Sequence, residues 1–299
     1  MRRLPSPDDL LILLTVARLG RFNAVAETLG TTHTTISRRI VALDNQLGGR
    51  TLERSPQGWE LTELGASAVA AAEAIEETLG SLSGLLGKDQ DALSGMVRIS
   101  TPDGFGAEFV APALVRLQQQ HRLLNVEMLS ATRKVSQNRS GVDLEVVVGR
   151  TDISNAQTLF LANYFLRLYA SPDYAARHGL PDTPDGVAQH GFVSYVESAL
   201  QVAELGHRSS QLPMPRSSFQ ATSIFAQVEA VRRGAGIGLL PNFMVAEDPA
   251  LLPVLPGSFQ RQVPVWAVAR PESLRSARVQ AVLAAIKEEV HQRRALLAA

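Results

Sequence analysis

FNAVAETLGTTHTTISRRIVALDNQLGGRTLER, residues Phe22 to Arg54, is the stretch from which the rest of the chain is read. Asn23 stands where it caps a short helix running to Leu29, and Gly30 supplies the left-handed exit that a tight turn needs. A further helix restarts about three residues later, as in a helix-turn-helix. Its Ile36, Ile40, Leu43 and Leu47 fall within about 60° of one another at roughly 100° per residue, which makes one buried stripe, and Gly48 ends it. Upstream, Ser6, Pro7 and Asp9 read as N-cap, first-turn proline and capping-box acid of a helix. Its Leu10, Leu13, Leu14 and Ala17 recur at helical spacing before Gly20 closes it. Downstream, turn formers Ser55, Pro56 and Gly58 separate Thr51-Leu52 from Trp59 to Leu61, so Arg50 to Trp59 reads as a small β-hairpin, the wing.

The positions that the stripe leaves free carry the chemistry. Thr34, Arg38 and Val41 project opposite the isoleucines, while His33 and Ser37 lie on the flank of the N-terminal half. A helix in the major groove offers its N-terminal residues to base edges, and Arg38 has the fork that fits guanine O6 and N7. Thr31 and Thr32 at the helix start bring hydroxyls and free amides to phosphate, and Arg54 in the hairpin can reach phosphate or a minor groove. A lone arginine reads equally well as solvated helix surface. Grouped with polar neighbours on one edge, these residues read as a DNA-binding face.

Thr62 is placed to cap a long helix in which Ala68, Ala72, Ile75, Leu79, Leu82 and Leu86 recur at alternating spacings of four and three. Such a seam serves either a partner helix or packing on the same domain. The polar stretch Gly87 to Gly95 then reads as a linker. Beyond it, strands at Met96 to Ser100, Val126 to Ser130, Leu144 to Gly149, Ile237 to Leu240 and Val265 to Val268 alternate with helices. The helices are Phe105 to Gln120, Ile224 to Arg233 and Val279 to Leu297. This alternation implies a mostly parallel sheet covered by helices on both faces. The resulting division is a winged helix-turn-helix over 1–60, a linker helix over 61–87, a hinge over 88–95 and an α/β domain over 96–299. Within the last, subdomain I takes 96–162 and 267–299 and subdomain II takes 163–266, with crossings near Ala162 to Phe165 and Trp266-Ala267.

The run Phe22 to Arg54 resembles the helix-turn-helix of LysR-type transcriptional regulators, and GWELTELG from Gly58 to Gly65 resembles their wing and linker start. MVRISTPDGFGAEFVAPAL, LYASPDYAARHG and VEAVRRGAGIGLLP extend the resemblance, in order, across the second domain. It implies that His33, Thr34, Ser37 and Arg38 face an operator. His33 and Thr34 stand where glutamine and a small residue or proline are common, so base preference does not carry over. It further implies a homodimer, a homotetramer of paired dimers, RNA polymerase as a further partner, and a small-molecule effector between two subdomains of a periplasmic-binding-protein-like domain. Ligands of α/β sheets sit at the carboxyl ends of strands. The candidate effector residues there are Thr101, Asp103, Phe105, Ser130, Thr132, Arg150, Ser194, Tyr195, Thr222 and Ser223. Hydroxyls and amides at two helix starts suit an anion; Asp103 opposes one, and Arg150 is placed to compensate. In the plainer alternative, Asp103 complements the helix dipole and Thr101 caps the helix.

Composition narrows the classes further. Lys plus Arg and Asp plus Glu are 29 each, so DNA contact must come from local clusters. Without cysteine, disulfides, thiolate metal sites and cysteine nucleophiles are excluded, which fits a reducing cytoplasm. Arg2 and Arg3 before Leu10 to Leu14 mimic a secretory signal, but Asp8, Asp9 and Arg18 interrupt it and no small-residue cleavage site follows. No stretch approaches the ~20 apolar residues of a membrane helix. A cytoplasmic α/β enzyme and a solute-binding protein are the competing classes. Gly234, Gly236 and Gly238 follow a helix and precede a strand, the reverse of a dinucleotide fingerprint. GSLSG at Gly80 falls within a helix rather than on a nucleophile elbow, and the six histidines show no metal-ligand spacing. The sequence therefore reads as a non-enzyme with no cofactor.

Overall fold

The computed structural model describes residues 4–55, 58–85, 93–130, 142–149, 156–199, 205–206, 211–271 and 273–298. Helices α1 (Pro7–Leu19), α2 (Phe22–Thr28) and α3 (His33–Leu47) precede a hairpin of β1 (Leu52–Ser55) and β2 (Gly58–Leu61). Leu13, Leu14 and Val16 of α1, Val25 of α2 and Ile36, Ile40 and Leu43 of α3 form one buried cluster. Gly20, Gly30 and Gly48 all adopt positive φ, so three turns in this small head use the freedom only glycine has without cost.

Three local readings need correction. Ser6 precedes α1 but its side chain makes no capping bond, and Asp9 turns instead into an ion pair with Arg39 Nε at 2.5 Å. The residue before α2 is Arg21, not Asn23; the helix begins one residue earlier because Phe22 is buried within the head. The long helix α4 (Glu63–Leu85) is capped by Thr62, whose Oγ1 accepts from Gly65 N at 3.0 Å. Its seam, however, is not all available to a partner. Ala68 and Ala72 are buried against α1, while Leu79 is 51% exposed. Leu86 lies outside the described residues.

Among the described residues, the remainder forms one nine-stranded sheet with helices packed against it. Along its edge-to-edge path run β4 (Leu123–Ser130), β3 (Ser94–Thr101), β5 (Leu144–Val148), β11 (Arg261–Ala269), β6 (Gln157–Ala170), β9 (Ile237–Pro241), β7 (Gly191–Ser194) and β8 (Ser217–Gln220), and β10 (Leu252–Val254) pairs with β6. The expected parallel character holds at the two ends, where β3–β4, β3–β5, β7–β8 and β7–β9 are parallel. At the centre the sheet is antiparallel, because β6 and β11 are long strands that run from one lobe into the other. Their register shifts at Val265/Trp266, where Leu161 of β6 is the extra residue, a bulge of the kind that bends a strand pair between lobes.

Subdomain I carries a helix that starts at Asp103–Phe105 (α5), widens to a π turn over Gly106–Val110 and continues as Ala111–Gln120 (α6). Pro112 has no N–H for the Glu108 carbonyl, and the Arg293 guanidinium takes that carbonyl while stacking over Phe109. The C-terminal helix accordingly comes as two pieces, α10 (Ala277–Gln292) and α11 (Arg294–Ala298), broken at Arg293 rather than continuous. Subdomain II adds α7 (Pro172–His178), α8 (Ile224–Arg232) and the short α9 (Asn242–Val245). Gly234 leaves α8 at φ 77°, and a Cβ at Gly236 would lie 2.3 Å from the Gly191 carbonyl oxygen. These glycines end a helix and let two strands approach, as their order in the chain suggested.

Candidate nucleic-acid interface and effector cleft

Thr32 is the N-cap of α3. Its Oγ1 accepts from Thr35 N at 3.2 Å and pairs with Thr35 Oγ1 at 2.9 Å. This hydroxyl is thus held by the helix start, and the Thr31 amide, read as free, donates to Ala26 O at 2.9 Å. Thr34 and Arg38 are exposed and Val41 is 55% exposed, while Ile36 and Leu43 on the opposite side are inaccessible. His33 is exposed but packs its ring 5.4 Å from Phe22, and Ser37 is half-buried. The Phe22 ring also stacks with Trp59 of the hairpin at 5.0 Å and 8°. Trp59 sits opposite Arg54 in the register, so the same aromatic pair that fixes the wing fixes where exposed Arg54 is carried. Arg39, next to Arg38, does not belong to this face, since Asp8 and Asp9 hold it.

The second constellation lies where β3, β4, β7 and β8 end. Ser130 Oγ donates to Asp103 Oδ1 at 3.0 Å, which joins the ends of β4 and α5. The phenol of Tyr195 is held above its usual range by burial and then by the negative charge of Asp103, so these two groups from opposite lobes lie within electrostatic reach of one another. Fully buried Tyr164 lies behind Tyr195 and is raised in the same sense, again chiefly by burial. A Cβ at Gly104 would stand 2.6 Å from Met244 Sδ and 3.3 Å from Ile224 Cγ2. The starts of α5 and α8 therefore meet across the cleft. On the α8 side Thr222 is exposed, Ser223 is half-buried with a hydroxyl that makes no capping bond, and buried Gln227 pins the preceding loop by donating to Ala221 O at 2.9 Å.

Other candidates fall elsewhere. Thr101 is inaccessible; its Oγ1 donates to Pro102 O at 3.3 Å and its methyl packs over Gly106, so it neither caps the helix nor lines an open site. Phe105 is 2% exposed and meets Phe109 and Phe243 at 4.8 and 6.1 Å; it belongs to the core beneath the cleft. Ser194 is 4% exposed, donates weakly to Tyr195 O, and borders a neighbouring cavity of about 420 Å³ with Glu197, Arg216 and Gln220. Thr132 and Arg150 lie outside the described residues. Gly104, Met244 and Gln227 were not anticipated. A glycine directly after Asp103 at a helix start is the one sequence signal that could have pointed to the close approach.

A winged helix-turn-helix head joined by a helix to a two-lobed α/β domain with a polar cleft defines a class: DNA-binding proteins equipped with a ligand-binding domain. The chain belongs to the LysR family. Residues 7–66 match the model of the bacterial regulatory helix-turn-helix protein, lysR family, and residues 90–291 match that of the LysR substrate binding domain. Among curated relatives it is 34% identical over 181 residues to the HTH-type transcriptional regulator DmlR of Escherichia coli, covering 60% of this chain and 59% of that one. The match thus spans under two thirds of DmlR's length. Among solved structures it resembles ArgP from Mycobacterium tuberculosis (TM-score 0.72, 18% identity, 96% of this chain and 97% of that one). It also resembles full-length LysG from Corynebacterium glutamicum with bound effector Arg (TM-score 0.68, 17% identity, 96% and 98%). The family resemblance and the fold class read from the sequence are borne out.

Proposed function

We propose that this chain is a sequence-specific, effector-responsive transcriptional regulator and not an enzyme, acting on duplex DNA in the cytoplasm. The observation that carries the reading is the division of α3: Ile36, Ile40 and Leu43 anchor it in the head, while Thr34, Arg38 and Val41 stand exposed on the other side. His33, Ser37 and the Thr31 and Thr32 backbone flank that face, and Arg54 extends it to the wing. The relatives are named transcriptional regulators, which supports the same class. Among the described residues no helix is long and apolar enough to cross a membrane.

The effector site comprises Asp103, Ser130, Tyr195, Thr222 and Ser223, with Ser194 at its border and Thr132 and Arg150 as further candidates. LysG carries an arginine effector, and that likeness supports a polar ligand in this cleft. Assembly is as a homodimer and a pair of dimers, with RNA polymerase as a further partner. The outer strands β4 and β8 expose Leu123, Leu129 and Phe219, flanked by Val115 of α6 and Phe225 of α8, and such apolar sheet edges favour pairing with another copy. Selection from a randomised duplex pool tests the central reading. Wild type enriches one motif, whereas Arg38→Ala loses about 1 to 3 kcal/mol on it and relaxes preference at one base position. Unchanged enrichment by Arg38→Ala would contradict it.

A further inference from the structure

The face where α4 meets the effector-binding domain holds a partly buried ionic cluster that DNA and effector recognition leave unused. Arg270 Nη2 lies 2.9 and 3.2 Å from the two carboxylate oxygens of Glu73, and these side chains are only 15% and 17% exposed. Glu73 is on α4. Arg270 is the residue directly after β11, and β11 is one of the two strands that run through both lobes. Glu145 on β5, in register with Val268 two residues before Arg270, lies close enough to feel the same guanidinium's charge. Arg18 of α1 grips Glu76 of α4 through two bonds of 2.7 Å, and in the effector-binding domain Arg278 donates to Ser94 O at 3.3 Å. Asp143, whose Oδ2 accepts from the Arg98 amide at 2.8 Å, completes the far wall with exposed Arg275. Between the walls is a cavity of about 290 Å³, lined by the small side chains Ala70 and Ala74 on the α4 side. The helix is therefore held by a partly buried pair and loosely packed beside it.

We propose that Arg270 is the joint by which the effector-binding domain holds the linker helix, so that motion of β11 about the bend at Val265/Trp266, where its partner β6 carries the extra residue Leu161, is carried into α4 through Glu73. A pair this shielded costs both ions much of their hydration, and leaving either partner alone there is worse than removing both. Arg270 consequently follows Glu73, or exchanges it for Glu145, rather than standing unpaired. One nitrogen, Nη2, reaches both carboxylate oxygens, so the charge-assisted contact is shared across the whole carboxylate. The bend lies between the cleft and the joint: Trp266 is packed edge-on against Phe160 at 5.3 Å and tied by its Nε1 to Gly149 O at 3.0 Å. Docking of α4 stands on this geometry alone; its use in signalling rests on the regulatory reading above.

The absence of native cysteine makes the test direct. Cysteines introduced at exposed Ala71 on α4 and exposed Ala284 on α10 are spin-labelled, and the full-length protein is diluted with unlabelled chain so that only distances within one chain are read. Neither DNA nor effector is present, so the result is independent of whether the regulatory reading holds. The parent gives one narrow distance distribution; Glu73→Gln and Arg270→Gln each broaden it, and the double variant is no broader than either single. Arg18→Gln, which breaks the pair between α1 and α4, leaves the distribution narrow. Circular dichroism confirms the fold of each variant, and Glu73→Gln decides the matter if Arg270→Gln does not fold. An unchanged distribution in Glu73→Gln, or equal broadening in Arg18→Gln, overturns the proposal.

Discussion

Replacing Glu145 by glutamine should stabilise the effector-binding domain at alkaline pH and remove much of its pH dependence. Glu145 is 2% exposed on β5, its Oε1 makes no hydrogen bond, and burial raises its carboxyl from 4.5 to about 7 against the opposing pull of Arg270. A rise from 4.5 to about 7 corresponds to ~3 kcal/mol of preference for the neutral form in the folded state. Because the folded protein keeps a proton that the unfolded chain releases, this group is least costly at low pH, and stability falls as pH rises from about 4.5 through about 7. Asp143, raised to about 6 chiefly by burial, acts in the same sense over a lower window. Glu76 has the opposite sign, being held below 4.5 by its Arg18 partner despite burial, and its stabilisation is lost only in acid. His190, lowered by burial, favours the folded state as pH rises, so the variant must be compared with wild type rather than read alone. Urea unfolding followed by Trp266 fluorescence in a Trp59→Phe background, at pH 5 and pH 8, makes that comparison. Wild type should lose about 2 to 3 kcal/mol more than Glu145→Gln over this interval, and the variant should be the more stable at pH 8. Parallel pH curves for the two proteins would refute the reasoning.

Arg54→Ala should weaken binding to all duplexes similarly and flatten the salt dependence, as expected of a phosphate contact. Fluorescence anisotropy across a salt series checks this, and a loss confined to one sequence would oppose it. Phe105→Ala should destabilise the α/β domain by about 3 to 5 kcal/mol, since it opens a cavity among Phe109 and Phe243. Thermal unfolding reads the effect; a variant of native stability with weakened effector binding would return Phe105 to the cleft.

The head was largely legible because its signals are local. Periodic apolar residues, glycine exits at Gly20, Gly30 and Gly48 and a hairpin at Gly58 each act within a few positions, and nothing distant overrides them. Misreadings there arose where a side chain found a better partner than its own backbone, as Asp9 did in Arg39. In the second domain the strand pattern was visible, but an apolar run does not tell which strands span both lobes, and hence the antiparallel centre was missed. Phe105 follows Asp103 at a helix start, a position that reads as cleft; only the tertiary arrangement places it on Phe243. Pro112 removes a helical bond inside the stretch read as one helix, and the arginine that answers it lies at 293, beyond the reach of any local pattern. Asn242 is similar: it is fully buried, accepts from Phe165 N, and donates to the carbonyls of Leu296 and Leu297, which fastens the chain's last helix. Glu73 and Arg270 stand 197 positions apart, so no local pattern joins them.

The central claim is that one molecule reads DNA with its head and a small ligand with its cleft, and that the two events are linked. A thermal-shift screen of polar metabolites supplies a ligand and pool selection supplies an operator; the decisive measurement is the affinity of each in the presence and absence of the other. Linkage requires that the ligand change operator affinity by the same factor by which the operator changes ligand affinity, and coupling of this kind is typically about 5- to 150-fold. We expect equal factors well above one, abolished together when Tyr195→Phe and Thr222→Ala are combined. Operator affinity indifferent to a ligand that demonstrably binds the cleft would contradict the account.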